Sequence, residues 1–442
     1  MNGTKAIAHN TRLKFLLVIE ALFYGVSSAL TTGLLFVYIV SIGAGIEGIS
    51  VVVGVSGLIK LFTHILLYKY PNFLITKIRA NFVLNHGLDR FFFIFIPLTQ
   101  NYFVIALIYS VAAATPTTAF MNLAILGSFS GKEIKDVTAK RAATIGVSSI
   151  IGYGIAIILL AFLPPETKFF YIYILGVLIG LMATSTISLM NLSHLEKLEI
   201  PQNIEHPEKL FSTSAYMVAI LAGGNLLSMV WIPYVMNHLK GPDYLAVTMN
   251  LVITLTSIFA SLICKGWSFK TLRYNVGLDS ATPLLALATP IALIHPMLSA
   301  ISSFTFTGSN FIASFLFGGY KKWLGAIRPS ILMAVILCIA NILVAPIGIF
   351  IKEEYFLLFM FAFGIKLVAF ILASTTMPEV AILPEDIART YSFTLYNKSI
   401  MGYNISVEIS RDTIMLTLRL VGFSLVMLFI YFIYRILFLM IS

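Results

Sequence analysis

The chain is 442 residues long, 59% hydrophobic and only 11% charged. A soluble domain carries roughly 45–50% apolar and about 25% charged residues, so a soluble enzyme or regulatory domain is excluded and most side chains must face lipid or other helices. The net charge of +10 does not signal nucleic acid, because the basic residues sit between apolar stretches, as in loops held on the cytoplasmic side of a membrane.

A membrane-spanning helix needs about 20 mostly apolar residues. Met1 to Asn10 is mildly polar and lacks a small-residue cleavage site after a short apolar core, so the first helix is expected to be retained. The apolar stretches predict an N-terminal bundle over 1–191, with helices at 13–41, 47–69, 80–98, 102–127, 141–163 and 168–191. A polar segment at 192–209, holding His194, Glu196, Lys197, Pro201, Glu205 and His206, is expected to link it to a second bundle over 210–376. That bundle takes helices at 210–237, 244–266, 272–290, 292–319, 328–351 and 354–376. The third and ninth helices have an alternative start, near Phe91 and Ala281, which leaves Asn85–Arg90 in a loop and buries Thr99, Gln100 and Asn101. The earlier start is preferred because it leaves 102–127 long enough to span. Residues 377–442 form a C-terminal extension, polar at first, in which Tyr391–Lys398 alternates like a strand. Its apolar end, 413–440, is either a thirteenth span or a helix lying along the membrane.

Orientation follows from the loops. Lys5, Arg12 and Lys14 precede the first helix, and Lys69, Lys77 and Arg79 follow the second. Lys132, Lys135, Lys140 and Arg141 lie between the fourth and fifth. Lys265, Lys270, Arg273, Lys321, Lys322 and Arg328 occupy matching loops of the second bundle. The alternate loops are poor in Lys and Arg, so the N-terminus is expected on the cytoplasmic side of the cell membrane.

The two bundles share a frame. Asn85-His86-Gly87-Leu88-Asp89 returns as Asn275-Val276-Gly277-Leu278-Asp279, 190 residues later. The fold class expected from these features is an all-α membrane protein of twelve transmembrane helices in two parallel, pseudo-two-fold six-helix bundles. Parallel repeats are one way to build a secondary transporter, with the solute site between them.

The organisation of residues 1–376 resembles the major facilitator superfamily. The family carries a loop of the form G-x3-D-R-x-G-R-R after its second helix; the matching Leu74-Ile-Thr-Lys77-Ile-Arg79 keeps only the basic character. The loop Gly318-Gly-Tyr-Lys-Lys-Trp-Leu-Gly325-Ala-Ile-Arg328 is closer to that form. The fifth helix, Lys140-Arg141-Ala-Ala-Thr-Ile-Gly146 through Gly152 and Gly154, is similar to the family's fifth, without the Gly-Pro pair of its proton-coupled drug antiporters. The resemblance implies alternating access, two bundles rocking about a midplane site.

Ionisable groups inside spans are costly and are usually paired or functional. At 1.5 Å per residue, Glu20 lies about 10 Å deep, Lys60 roughly 13 Å, and Asp89 and Arg90 about 14–15 Å. His64 shares a face with Lys60, and His86 with Asp89 and Arg90. Glu20, Lys60, Asp89 and Arg90 are therefore expected to form one network. It is either a structural lock on three helices, or a device in which an acid takes up a proton while Lys60 or Arg90 binds an anion or releases its partner. Asp279 is either an unpaired acid inside the ninth helix or the N-cap of a helix starting near Ala281. His295 and Lys366 read as isolated, and Lys366 needs a partner, water or a neutral state.

The helices that line the cavity in the family, the first, fourth, seventh and tenth, here carry Tyr24, Ser28, Thr32, Thr118, Asn122, Tyr216, Asn225, Trp231 and Asn310, with His295 at the start of the tenth. Taken singly, each reads first as an ordinary helix–helix hydrogen bond, with solute contact the alternative; as a set they point to a small, weakly charged, hydrogen-bonding solute. Cys264 and Cys338 both lie in apolar stretches and imply no disulfide or metal site. No phosphate loop, His-x3-His pair or G-x-S-x-G elbow is present, so no cofactor or metal is expected. The expected partners are a small solute, a proton or other ion, and the bilayer; the oligomeric state is open. The rival classes are a membrane-embedded enzyme and a non-transporting scaffold or receptor.

Overall fold

Helices account for nearly all of the described residues, running back and forth between two ends. The computed structural model describes residues 2–129, 131–197, 210–264, 266–320, 327–399 and 401. Residues 402–442, with the apolar stretch 413–440, lie outside the described residues, as do 198–209 of the expected linker and 321–326 of the Gly318–Arg328 loop. Ten helices are long and apolar enough to cross a membrane among the described residues. The chain is thus a multi-pass membrane protein by helix length and composition.

Helix α1 (Asn2–Leu30) breaks at a short 3-10 turn, Thr32–Leu34, and resumes as α2 (Leu35–Ser41). Helix α3 (Gly45–Lys69) returns, and α4 (Ile78–Phe91) continues into the 3-10 stretch Phe92–Leu98. A single apolar run then gives two helices, α5 (Tyr102–Ala114) and α6 (Thr117–Ser128). Pro116 separates them because it lacks an N–H and its ring clashes with the preceding turn; the freed Ala112 carbonyl accepts from the Thr115 hydroxyl at 2.8 Å. Helices α7 (Gly131–Phe162) and α8 (Lys168–Ser188) complete the N-terminal set. The C-terminal set is α9 (Leu210–Pro233), α10 (Asp243–Cys264), α11 (Phe269–Leu287), α12 (His295–Gly319), α13 (Arg328–Ile351) and α14 (Tyr355–Thr376). Lys69, Lys77, Arg79 and Lys270 mark one end, called here the basic end; the 43–47, 163–167 and 239–242 connections mark the far end.

Most boundaries fall within three residues of those expected. Two helices start about ten residues early: the first at Asn2 rather than at 13, and the fifth at Gly131 rather than at 141, which places Arg141 well inside the helix. The early starts of α4 and α11 hold, and Asp279 lies mid-helix rather than at an N-cap. Asn101 stays in the turn and caps α5, its side chain accepting from the Phe103 N–H at 2.9 Å. The strand expected at Tyr391–Lys398 is helical instead, within a helix over 385–399. Ala388 and Ser392 sit one turn apart and are buried, and the Ser392 hydroxyl donates to that of Ser212 at 3.0 Å. That four-residue spacing outweighs the local alternation.

Within the N-terminal set, α1 packs against α7 and α8, α3 against α5, and α4 against α8. Within the C-terminal set, α9 and α11 pack against α14, and α10 and α11 against α12. The two sets meet along a seam where α3 lies on α13 and α7 on α10. Small residues let α3 and α13 approach: a Cβ on Gly54 would stand 2.7 Å from that of Ala345, and one on Gly57 3.2 Å from that of Asn341.

Candidate functional site: two buried charge clusters and a seam

Helix α4 is poor in apolar residues because it carries Asn85, His86, Asp89 and Arg90 on one stretch. His86 and Arg90 face α1 and α8 rather than lipid. Glu20, fully buried, receives the Arg141 guanidinium: Nε–H donates to Oε2 at 3.1 Å and Nη2–H at 2.9 Å. His86 Nε2 lies 3.5 Å from Glu20 Oε1, and His86 Nδ1 lies 2.8 Å from the Thr184 hydroxyl. That hydroxyl also reaches the Gly180 carbonyl at 3.2 Å. Arg90 pairs with its neighbour Asp89 at 2.8 Å and stacks on the Tyr24 ring, 4.5 Å from its centroid. Gly180 makes room for Arg90, whose Cδ would be 2.8 Å from an added Cβ.

The expected four-member network is therefore corrected in two respects. Arg141, read as a loop residue, is the partner of Glu20. Lys60 stands apart: its helix packs on α5 and α13, and no described acid pairs with it. His64 accompanies Lys60, its Nδ1 lying 2.8 Å from the Lys60 carbonyl.

In the C-terminal set, Asp279 and Lys366 are neither unpaired nor isolated. Lys366 Nζ donates to Asp279 Oδ1 at 2.8 Å and to the Thr282 hydroxyl at 3.1 Å. The Thr305 hydroxyl donates to the same Oδ1 at 3.2 Å. Both charged residues are essentially inaccessible, and Asp279 Oδ2 has no hydrogen-bond partner. Gly223 of α9 admits the lysine stem, since a Cβ there would stand 2.5 Å from Lys366 Cγ. His295 is not isolated either. The Trp231 indole N–H donates to its Nδ1 at 2.8 Å, which leaves Nε2–H to donate to the Thr289 carbonyl at 3.1 Å.

The polar candidates divide. Tyr216 donates to the Ser309 carbonyl at 2.8 Å, and Asn225 Nδ2 donates to Asn341 Oδ1 of α13 at 2.6 Å. Asn310 keeps a buried Oδ1 without a partner. Tyr24, Ser28 and Asn122 are half-buried, whereas Thr32 and Thr118 are exposed. At the break in α1, Asn250 of α10 donates across the seam to the Gly33 carbonyl at 2.8 Å. Asn250 and Asn341 escaped the sequence reading because each is one amide in a long apolar run.

Ion pairs join the two sets at the far end. Lys352 Nζ lies 3.5 Å from Glu47, which also accepts from the Tyr102 hydroxyl at 3.3 Å. Lys168 pairs with Asp243. At the basic end the contact is apolar: Ile327 and Ile331 of the C-terminal set pack into one cluster with Leu13, Leu67, Leu74 and Phe120.

No protein-family model and no curated protein matches the sequence. Solved structures do. The chain is similar to the nucleoside transporter NupG, with 13% identity and a TM-score of 0.57 over 82% of this chain and 97% of that one. A mutant of NupG gives 12% identity and a TM-score of 0.60 over 81% and 98%. A bacterial homologue of the iron transporter ferroportin, in an outward-facing state, gives 12% and 0.55 over 81% and 98%. Likeness at this identity speaks to the fold alone: the chain shares the fold of these transporter structures.

Proposed function

We propose that the chain is a secondary transporter that moves a small solute across the cytoplasmic membrane by alternating access of its two helix sets, coupled to a proton or another ion. The observation that carries this reading is the fold likeness, which spans 98% of a transporter's chain. In this reading α4 with its 3-10 continuation, and α11, complete twelve spans, two sets of six related by a pseudo-two-fold. Asp89 and Asp279 then hold equivalent places, each beside a cation. The basic end faces the cytoplasm.

Three features support moving halves. At the α3–α13 seam Gly54 and Gly57 let the backbones approach closely, so no bulky side chain of α3 interlocks the halves at those two positions. At the far end the Lys352–Glu47 pair is open to water, and such an exposed pair is worth only about 0–1 kcal/mol. Helices α1–α2 and α5–α6 are interrupted within their spans, as in transporters whose broken helices border the solute site.

Proton coupling finds its support at His86. The Thr184 hydroxyl has one hydrogen. If it is given to the Gly180 carbonyl, His86 Nδ1 must donate, and Nε2 needs a second proton to face Glu20. If it is given to His86, Nε2–H faces Glu20 on a neutral ring. The two arrangements differ by one proton, and a hydroxyl rotation converts the hydrogen bonds. Among the described residues no group of three or more His, Cys, Asp or Glu could hold a metal, so a metal-ion cargo has no support of that kind.

The test is uptake into proteoliposomes from a panel of labelled solutes, with and without an imposed pH gradient. Uptake of a solute, accelerated by the gradient, is the expected result. No uptake of any solute under either condition would count against the transporter reading.

A further inference from the structure

Among the ionisable side chains deep in the spans, the pairings leave Lys60 without a side-chain partner, together with His64, whose ring reaches only the Lys60 carbonyl. Glu20 has Arg141, Asp89 has Arg90, Asp279 has Lys366 and His295 has Trp231. Lys60 lies nine residues inside the basic end of α3 and makes no ion pair or hydrogen bond to a described side chain. Its place on α3 is on the seam. Gly57, one turn earlier, abuts Asn341, Ile342 and the Cys338 carbonyl of α13.

The charge is unanswered by the surroundings. The helices packed most closely on α3 are α2, α5, α9 and α13, and none of the four contains an Asp or Glu. The acid on α3 itself is Glu47, thirteen residues away, about 20 Å along the axis, and it is held by Lys352 and Tyr102 at the far end. Holding an ammonium inside a membrane without a counter-charge costs several kcal/mol. The fold meets that demand everywhere else with a carboxylate or a ring partner. The Asn225–Asn341 amide pair nearby offers hydrogen-bonding groups on the other side of the seam.

We infer that Lys60 recognises an anionic group, a carboxylate or phosphate, on the transported solute. The inference rests on the transporter reading and narrows it. The solute supplies the counter-charge that the protein omits, so its binding neutralises the seam, and the hydroxyls and amides around the seam read the rest of the molecule. An anionic lipid headgroup offers the same chemistry from the bilayer, and the test separates the two.

The full chain is reconstituted in vesicles of phosphatidylcholine alone and of phosphatidylcholine with phosphatidylglycerol. Uptake is measured for inorganic phosphate, short mono- and dicarboxylates, nucleoside monophosphates, and neutral sugars and nucleosides. The expected result is uptake of an anion in both vesicle types, with KM raised at least tenfold by Lys60→Gln and largely restored by Lys60→Arg. Thermal unfolding of the wild type should rise with that anion, and the rise should be lost in Lys60→Gln. Uptake of a neutral solute with equal KM in wild type and Lys60→Gln would overturn the inference and leave the transporter reading standing. Stabilisation by phosphatidylglycerol that needs Lys60, with no soluble anion taken up, would assign Lys60 to lipid and overturn it as well. Absence of all uptake would remove both readings together.

Discussion

Lys366 of α14 reaches 2.8 Å from Asp279 of α11, and both side chains are sealed from solvent. Each charge is tolerable there because of the other. Removing one partner of such a pair costs about 3–5 kcal/mol, because it strands an uncompensated charge. Lys366→Met is therefore expected to lower the apparent melting temperature in detergent far more than Lys366→Met with Asp279→Asn. A double variant as unstable as the single would show that the pair is not what holds these helices.

The Glu20 cluster should behave differently, because it has two basic partners. Arg141→Met leaves His86 to answer Glu20 and is expected to fold, with pH-driven uptake altered. Glu20→Gln is expected to abolish pH-driven uptake while solute exchange continues. Equal pH-driven uptake in Glu20→Gln and wild type would leave the cluster as structure alone.

Closure of the far end rests in part on Glu47–Lys352 and Lys168–Asp243. Removing both with Glu47→Ala and Lys168→Ala should shift the closed-to-open ratio at least fivefold, about 1 kcal/mol or more, because Lys168–Asp243 is mostly buried. A cysteine at Asn237, beside Gly45 at that end, should then react faster with a membrane-impermeant maleimide. An unchanged rate would show that apolar contacts alone keep this end shut.

Orientation can be read with two exposed positions. Glu166 lies in the connection between α7 and α8, and Glu196 follows α8 at the opposite end. The native Cys264 and Cys338 are buried and give little background. Glu166→Cys should label from outside the cell and Glu196→Cys only after the membrane is opened. The reverse pattern would invert the topology.

Much of the architecture was legible, because apolar length is a strong signal and the lipid leaves few alternatives. What failed did so for identifiable reasons. Arg141 was read as a loop residue because charge near a boundary looks the same whether the helix has begun or not; the ten residues before it are helical too. Lys60 was grouped with Glu20 on depth alone, and depth does not say which neighbour a helix faces. Lys366 and Asp279 are 87 residues apart, and their pairing depends on α14 crossing α11, which no local pattern records. Tyr391–Lys398 shows the converse case, where local alternation was present and the tertiary contact of Ser392 with Ser212 decided the outcome.

The two ends of the seam are fastened by different physics, and that has a practical consequence. Charges at the far end, partly open to water, are screened as ionic strength rises, since the Debye length is about 8 Å at physiological salt and ~3 Å at 1 M. The cluster of Ile327, Ile331, Leu13, Leu67 and Leu74 at the basic end is indifferent to salt but loosens on cooling, as burial of apolar surface loses its driving force. If the two sets rock as proposed, salt and temperature become separate handles on the two ends. Concentrated buffer at room temperature would then favour opening at one face and cold dilute buffer at the other, a way to trap each proposed conformation without a ligand or a mutation.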